Sequence, residues 1–484
     1  MPAAGRRRFE TFPLLLIVAL MLAQTPFSPA AFAAPRATEF KLDNGLQVVV
    51  IEDRRAPVVT HMVWYRVGAA DEPKGKSGIA HFLEHLMFKS TEKIAIGEFS
   101  KIVARLGGQD NAFTSQDATA YFQRIAKERL ADVMAMEADR MVNLRLTEKE
   151  VLTERDVILE ERRSRIENNP SSILTEQMDA ALYYHHPYGI PVIGWAHEIA
   201  ALGPDDALSF YRQHYAPNNA ILVVSGDVSS QEVRRLAETT YGKIPTGNGI
   251  VATRVRPQDP EHRVARRLEL VDPRAGNASI TRYYFAPSYL NAPKGKGEAL
   301  EVLMKVVASG STSRLYKRLV VDKKVASNAG GWYSGEGIDS GKLSVYAVAQ
   351  NGTPLADVER EIDAVLADVK ANGITEAELK RAKTGLAAEY IYESDSQSTL
   401  ARRYGWGLVV GHTVAAIEEW PQEVAKVTAE DVKAAAAEFL DARRSVTGWL
   451  VPEKTAAAAA TAAPAPAPAP ASPPAAAPAA PSRG

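Results

Sequence analysis

The chain has 484 residues, no cysteine, and 57 Lys and Arg against 58 Asp and Glu, for a formal net charge of −1. That balance provides no basic field for nucleic acid, and without thiols neither disulfides nor a thiolate metal site can staple the fold. The length is too great for one ordinary core and comfortable for two.

Residues 1–33 read as an export signal peptide. Arg6, Arg7 and Arg8 precede an apolar run from Phe12 to Leu22 that is too short to cross a bilayer, and Ala31-Phe32-Ala33 is a small-x-small cleavage site. The mature chain is therefore expected in the periplasm or outside the cell, with no stable membrane insertion. An N-terminal domain over 36–248 follows. Phe40 to Ile51 predicts a hairpin about Asp43-Asn44-Gly45, and Val58 to Val67 a further strand. A helix around residue 80 comes next, then a helix over Ile94 to Arg105 that Gly107-Gly108 breaks. Asn111 to Arg124 reads as one strand rich in Thr and aromatics. Two helices, Glu128–Leu144 and Glu148–Glu167, are followed by Asn169-Pro170, taken as the end of the second. Asp205–His214 and Ser230–Tyr241 predict helices on either side of a buried strand, Ala220–Ser225.

Residues 249–262 have the Gly and Pro of a linker, and over 263–452 the pattern starts again. Arg267–Val271, Ser279–Phe285 and Lys342–Val348 predict strands, and Lys296–Ala308, Val358–Asn372 and Glu376–Ser394 predict helices. The element order implies two α+β domains of similar design, each a mostly antiparallel sheet flanked by helices, the second a degenerate copy of the first. From 453 to 484 the chain reduces to an Ala/Pro-rich tail, read as disordered.

The helix near residue 80 carries His81-Phe82-Leu83-Glu84-His85. Two imidazoles at i and i+4 lie one turn apart on one helix face, the spacing that lets two nitrogens grip one Zn²⁺. Glu84 shares that face, where a carboxylate can take a proton from a water. Ile79, Phe82, Leu83, Leu86 and Met87 form a neighbouring apolar stripe. A catalytic zinc wants a third protein ligand. In the helix Glu148–Glu167, Glu154, Ile158 and Glu161 fall on one face, and spacing leaves Glu154 and Glu161 both open.

The His81-x-x-Glu84-His85 order resembles the inverzincin motif of the pitrilysin and insulin-degrading peptidases. The run Glu154-Arg155-Asp156-Val157-Ile158-Leu159-Glu160-Glu161 is similar to the family's downstream helix. Gly107–Thr114, His186-Pro187-Tyr188-Gly189 and Tyr215–Ala220 also resemble family segments, and the length fits the short branch that includes the mitochondrial processing peptidase subunits. The resemblance implies one Zn²⁺ per chain on His81, His85 and Glu161, with Glu154 orienting the site and Glu84 as the catalytic base. It implies a zinc endopeptidase acting on peptides or unfolded segments, each chain forming half of a clamshell chamber. The peptide is expected to lie extended along the strand that holds Asn111 and Ala112.

Active members of that family also carry an Arg followed seven residues later by a Tyr in the second domain. Here the positions seven after Arg314 and Arg318 are Val321 and Val325, which cannot donate a hydrogen bond. A homologous partner subunit supplying Arg and Tyr, or a homodimer, is therefore expected. Tyr316 and Tyr333 are the substitutes available within the chain. The competing reading is a non-catalytic core subunit of the same fold, and such subunits usually lose the motif that this chain retains.

Overall fold

A computed structural model of the chain describes residues 37–247 and 254–453. The expected signal peptide and tail lie outside the described residues. Among these, no helix is long and apolar enough to cross a membrane.

The first half builds a six-stranded sheet. Its strands are β1 (Thr38–Lys41), β2 (Gln47–Glu52), β3 (Val58–Tyr65), β4 (Gln109–Thr114), β5 (Thr119–Ala126) and β6 (Ala220–Gly226), in the order β1-β2-β6-β3-β5-β4. All neighbours are antiparallel except β2 and β6. The second half builds five strands: β7 (Arg266–Asp272), β8 (Ser279–Ala286), β9 (Ala326–Ser334), β10 (Gly341–Ala349) and β11 (Ser445–Pro452). Their order is β9-β10-β8-β11-β7, with β7 and β11 the parallel pair.

The single strand expected over Asn111–Arg124 is in fact two. β4 and β5 form a hairpin that turns at Ser115–Ala118, closed by the Ser115 N–H donating to Ala118 O at 2.8 Å. No Gly or Pro marks that turn, which explains the misreading; the Ser and Asp of Ser115-Gln116-Asp117 make it. Asn169-Pro170 is likewise a start and not only a stop. The Asn169 side chain accepts from the Ser171 and Ser172 N–H groups, and Pro170 opens helix α5 (Pro170–Leu182), the usual places for an Asn cap and a first-turn proline.

Helices α1 (Ile79–Leu86), α2 (Glu98–Arg105), α3 (Leu130–Val142), α4 (Glu148–Arg162), α6 (Pro204–His214) and α7 (Ser230–Thr239) complete the first half. The second half adds α8 (Lys296–Val307), α9 (Leu355–Asn372), α10 (Glu376–Glu393), α11 (Gln397–Val410), α12 (Val414–Lys426) and α13 (Ala429–Phe439). The halves exchange a helix. Leu174, Met178 and Leu182 of α5 pack against Val446 and Leu450 of the second sheet. Leu400, Ala401, Tyr404 and Leu408 of α11 pack on Met62, Trp64 and Ile221 of the first. Each exchange rests on a glycine at the point of closest approach. A Cβ on Gly405 would sit 2.1 Å from Trp64 Nε1, and one on Gly448 2.3 Å from Met178 Sδ.

Residues 254–262, beyond the expected linker's undescribed start, are tied down and not loose. The Arg256 guanidinium donates to Asp71 at 2.8 Å and Asp117 at 2.5 Å from the first half, and to Asp339 at 3.2 Å from the second. Three carboxylates around one buried cation make the junction a charge-paired seam.

Candidate metal centre

α1 buries Phe82, Leu83 and Leu86 in the first core, leaving His81, Glu84 and His85 on the face toward β4 and α4. Its start is unusual. Gly78, the residue before the helix, is left-handed (φ 88°), and a Cβ there would meet Ile193 O at 2.5 Å. A side chain that could cap the helix has no room at that position. Glu72 caps it from a distance, accepting from the Gly78 and Ala80 N–H groups at 2.9 Å each. Its two oxygens satisfy N–H groups that have no partner inside the helix.

The structure brings together His81, His85 and Glu161. Glu161 Oε2 lies 3.7 Å from His81 Nε2 and 3.5 Å from His85 Nε2. Tetrahedral ligands about 2.1 Å from one zinc stand about 3.4 Å apart; the two Glu161–His spacings suit one ion, and all three ligand atoms lie within 4.8 Å of one another. Glu161 Oε2 is buried and accepts no hydrogen bond. An unpaired carboxylate oxygen aimed at two imidazoles is the kind of group a cation satisfies. The other Glu161 oxygen is held by Arg165, one turn on, at 2.6 Å. Arg165 lies in a π-helical turn, Arg163–Glu167, that widens the end of α4 directly after Glu161, a feature common beside functional sites.

Glu154, which spacing alone could not separate from Glu161, occupies a different place. It accepts from His85 Nδ1 at 2.8 Å and is also bound by Lys89. The hydrogen bond from His85, with Lys89 adding to it, holds the Glu154 carboxyl down at about 2. An anionic Glu154 keeps the His85 proton on Nδ1 and leaves the Nε2 lone pair free. Burial, with His85 and Arg165 nearby, pulls the His81 imidazole down to about 3, so that ring is neutral, as a ligand must be. Glu84 is buried beside this cluster and accepts from Thr114 Oγ1 at 2.6 Å. Burial raises its carboxyl above the ordinary value, toward the range useful for proton transfer near neutrality.

Asn111 and Ala112 lie on β4, which among the described residues pairs only with β5 and so presents a sheet edge. Ala112 and Thr114 share the face of Glu84, whereas Asn111 and Phe113 point to the other. Lys89, Thr114, Arg165 and Glu72 were not among the residues expected at the site. Lys89 and Arg165 had a signal, each lying four residues after a candidate ligand. Thr114 had only its place in the Gly107–Thr114 segment and Glu72 had none, because their roles depend on the β4 edge and on the loop before α1.

Residues 47–195 match the family model described as Insulinase (Peptidase family M16), and residues 201–386 match that described as Peptidase M16 inactive domain. The zinc protease PqqE of Helicobacter pylori is 32% identical over 423 residues, covering 86% of this chain and 93% of the relative. The chain belongs to the insulinase family, M16. A crystal structure of a protease from Helicobacter pylori shares 32% identity and a TM-score of 0.80, covering 87% of this chain and 100% of that one. The first half of the periplasmic protease PqqL from Escherichia coli has the same fold at 21% identity, with a TM-score of 0.74 over 87% of this chain and 93% of that one. This chain is thus a two-domain M16 unit of the size of one half of a longer protease.

Proposed function

We propose that the chain is an exported zinc endopeptidase that hydrolyses peptide bonds in peptides or unfolded segments. One Zn²⁺ is held by His81 Nε2, His85 Nε2 and Glu161 Oε2. The observation that carries this reading is the unpaired, buried Glu161 oxygen facing two imidazole nitrogens, one of them oriented by the anionic Glu154. Bound there, zinc supplies a Lewis acid that polarises a carbonyl and acidifies water. Glu84 takes a proton from the attacking water as the C–O bond forms, then gives it to the amine nitrogen as the C–N bond breaks. The peptide lies extended on the edge of β4, beside Asn111 and Ala112.

The metal-bearing chain works with a second, homologous subunit, or with a second copy. In support of this, Arg314, Arg318 and Tyr333 are all engaged within the chain. Arg314 is held by Glu378 at 2.7 Å and Asp368 at 2.9 Å, and Arg318 by Glu361 at 2.7 Å. The Tyr333 hydroxyl donates to Pro287 O at 2.7 Å. A missing oxyanion donor costs about 10²–10³ in rate, so a partner's Arg and Tyr would account for that much activity.

The test is metal analysis of never-chelated protein together with cleavage of an unstructured peptide, with and without the partner. One zinc per chain and zinc-restorable cleavage are expected. Metal-free protein, or zinc-loaded protein that leaves the peptide intact in both conditions, overturns the reading. Full turnover by the isolated monomer overturns the partner.

A further inference from the structure

On the face of β4 opposite Glu84, the chain forms a half-open cavity of about 880 Å³ between Phe113 and helices α8, α10, α11 and α12. Its walls are aromatic. Tyr390 and Trp420 stack with ring centroids 5.8 Å apart, the Trp420 indole donates to Tyr289 Oη at 3.3 Å, and Trp406 closes the side toward β4.

The lining holds five carboxylates against three cations, and the cations are already engaged. Arg403 is paired with Glu393 at 2.8 Å, Lys294 lies 4.0 Å from Glu423, and the Arg402 guanidinium stacks 4.8 Å over the Phe113 ring. Among the described residues, Glu298, Glu336 and Glu419 have no cationic partner. Glu336 opens its side chain to the cavity, yet protein surrounds it deeply enough that burial raises its carboxyl to about 7. Burial likewise raises Glu301, which accepts from the Tyr289 hydroxyl behind the wall, to about 7. Carboxyl groups outnumber cations here, between ring faces that attract cations, and a cation brought beside Glu336 would favour its ionised form.

We propose that this cavity binds lysine or arginine side chains of the peptide being cleaved, the cation lodging by Glu298 and Glu336 and the aliphatic stem against the aromatic wall. This rests on the proposed substrate path along β4. A strand paired to that edge sends alternate side chains to its two faces, one set toward Glu84 and the other past Phe113 into the cavity. The chemistry fits an extended organic cation. A small anion would face the excess carboxylates, and an apolar side chain would leave them unpaired.

The experiment uses an unstructured peptide with two lysines and its twin with glutamine at those positions. Affinity for the full-length Glu84→Gln chain is read from the fluorescence of its tryptophans, and KM from the active protein. Wild type should prefer the lysine peptide by about 10-fold, a typical worth for a partly desolvated cation on carboxylate and ring. The Glu298→Gln/Glu336→Gln double variant should bring the ratio of the two peptides close to one. Glu298→Lys, at the accessible start of α8, should invert it and covers the case in which the double variant does not fold. A ratio near one in wild type, or a ratio that survives both changes, overturns the proposal. Preference for lysine in the Glu84→Gln chain with no hydrolysis by wild type would sink the peptidase reading and leave the cavity standing. Hydrolysis without preference would do the reverse.

Discussion

Strand for strand, β2-β6-β3-β5-β4 of the first half recurs as β7-β11-β8-β10-β9 in the second, with the parallel pair at the same place. The helix that follows the second strand of each set differs in chemistry. Pro73-Lys74-Gly75-Lys76 before α1 returns as Pro293-Lys294-Gly295-Lys296 running into α8, with Gly75 and Gly295 left-handed at φ 80° and 83°. Counted from that repeat, the core positions Phe82, Leu83 and Leu86 become Val302, Leu303 and Val306, all buried. The polar positions change: His81, Glu84 and His85 become Glu301, Met304 and Lys305. Lys305 is bound to Glu389, and Glu301 accepts from Tyr289. The scaffold is thus independent of the chemistry mounted on it. On this helix, three side chains separate the metal-binding pattern from an ion pair and a buried acid, which is consistent with the second half matching a model described as an inactive domain.

The comparison breaks most sharply at its polar positions. Glu84→Gln should lower peptide turnover about 10²–10⁴-fold with zinc content unchanged, whereas Met304→Leu, at the matching place in α8, should leave turnover alone. Near-normal cleavage by the first variant removes Glu84 as the base. Glu154→Gln keeps the ligands but loses the anion that fixes His85. Zinc affinity should fall about 10–100-fold, read by competition with a chromogenic chelator. An unchanged affinity would mean that the His85–Glu154 bond does not orient the ligand.

How much of this was legible before the structure varied with the range of the forces involved. α1 and its two imidazoles could be read because helix spacing is local. So could most strands and the repeat of element order. The choice between Glu154 and Glu161 could not be made from spacing, because it depends on how α4 lies against α1; the family resemblance supplied it. The β4–β5 turn was hidden because Ser115-Gln116-Asp117 lacks the usual glycine. α11 and β11 are fixed by partners in distant segments, Trp64 lying over three hundred residues before Gly405. The repeated Pro-Lys-Gly-Lys was visible all along, and would have placed Glu301 opposite His81.

The helix exchange offers a smaller contrast. Gly405→Ala drives a Cβ into the Trp64 indole, a rigid ring fixed in the first sheet. Gly448→Ala drives one into the Met178 sulfur, the far end of a flexible chain. Overpacking against immovable neighbours costs about 1–3 kcal/mol, and methionine absorbs more of it. Thermal melts should therefore place Gly405→Ala below Gly448→Ala. Equal melting temperatures would mean that the two exchanged helices are seated with the same slack.

The smallest effect concerns the remote cap of α1. Burial, working against the two backbone N–H bonds, raises the Glu72 carboxyl from an ordinary 4.5 to about 8. A carboxyl raised in this way holds its proton more tightly in the folded chain than in the unfolded one. Its contribution to stability is complete below about pH 4.5 and is lost as pH climbs through 8. Glu301 and Glu336, raised to about 7, act in the same direction over a lower window. Glu72→Gln is uncharged at every pH and keeps an oxygen for one of the two N–H groups, which Glu72 accepts with separate oxygens. With zinc saturating, wild-type melting temperature should decline between pH 6 and 9, and the variant should decline less, by about 1–2 kcal/mol of stability across the window. Parallel declines would mean that the helix dipole and those two N–H groups keep Glu72 ionised throughout, and α1 would then be capped by charge and not by a neutral acid.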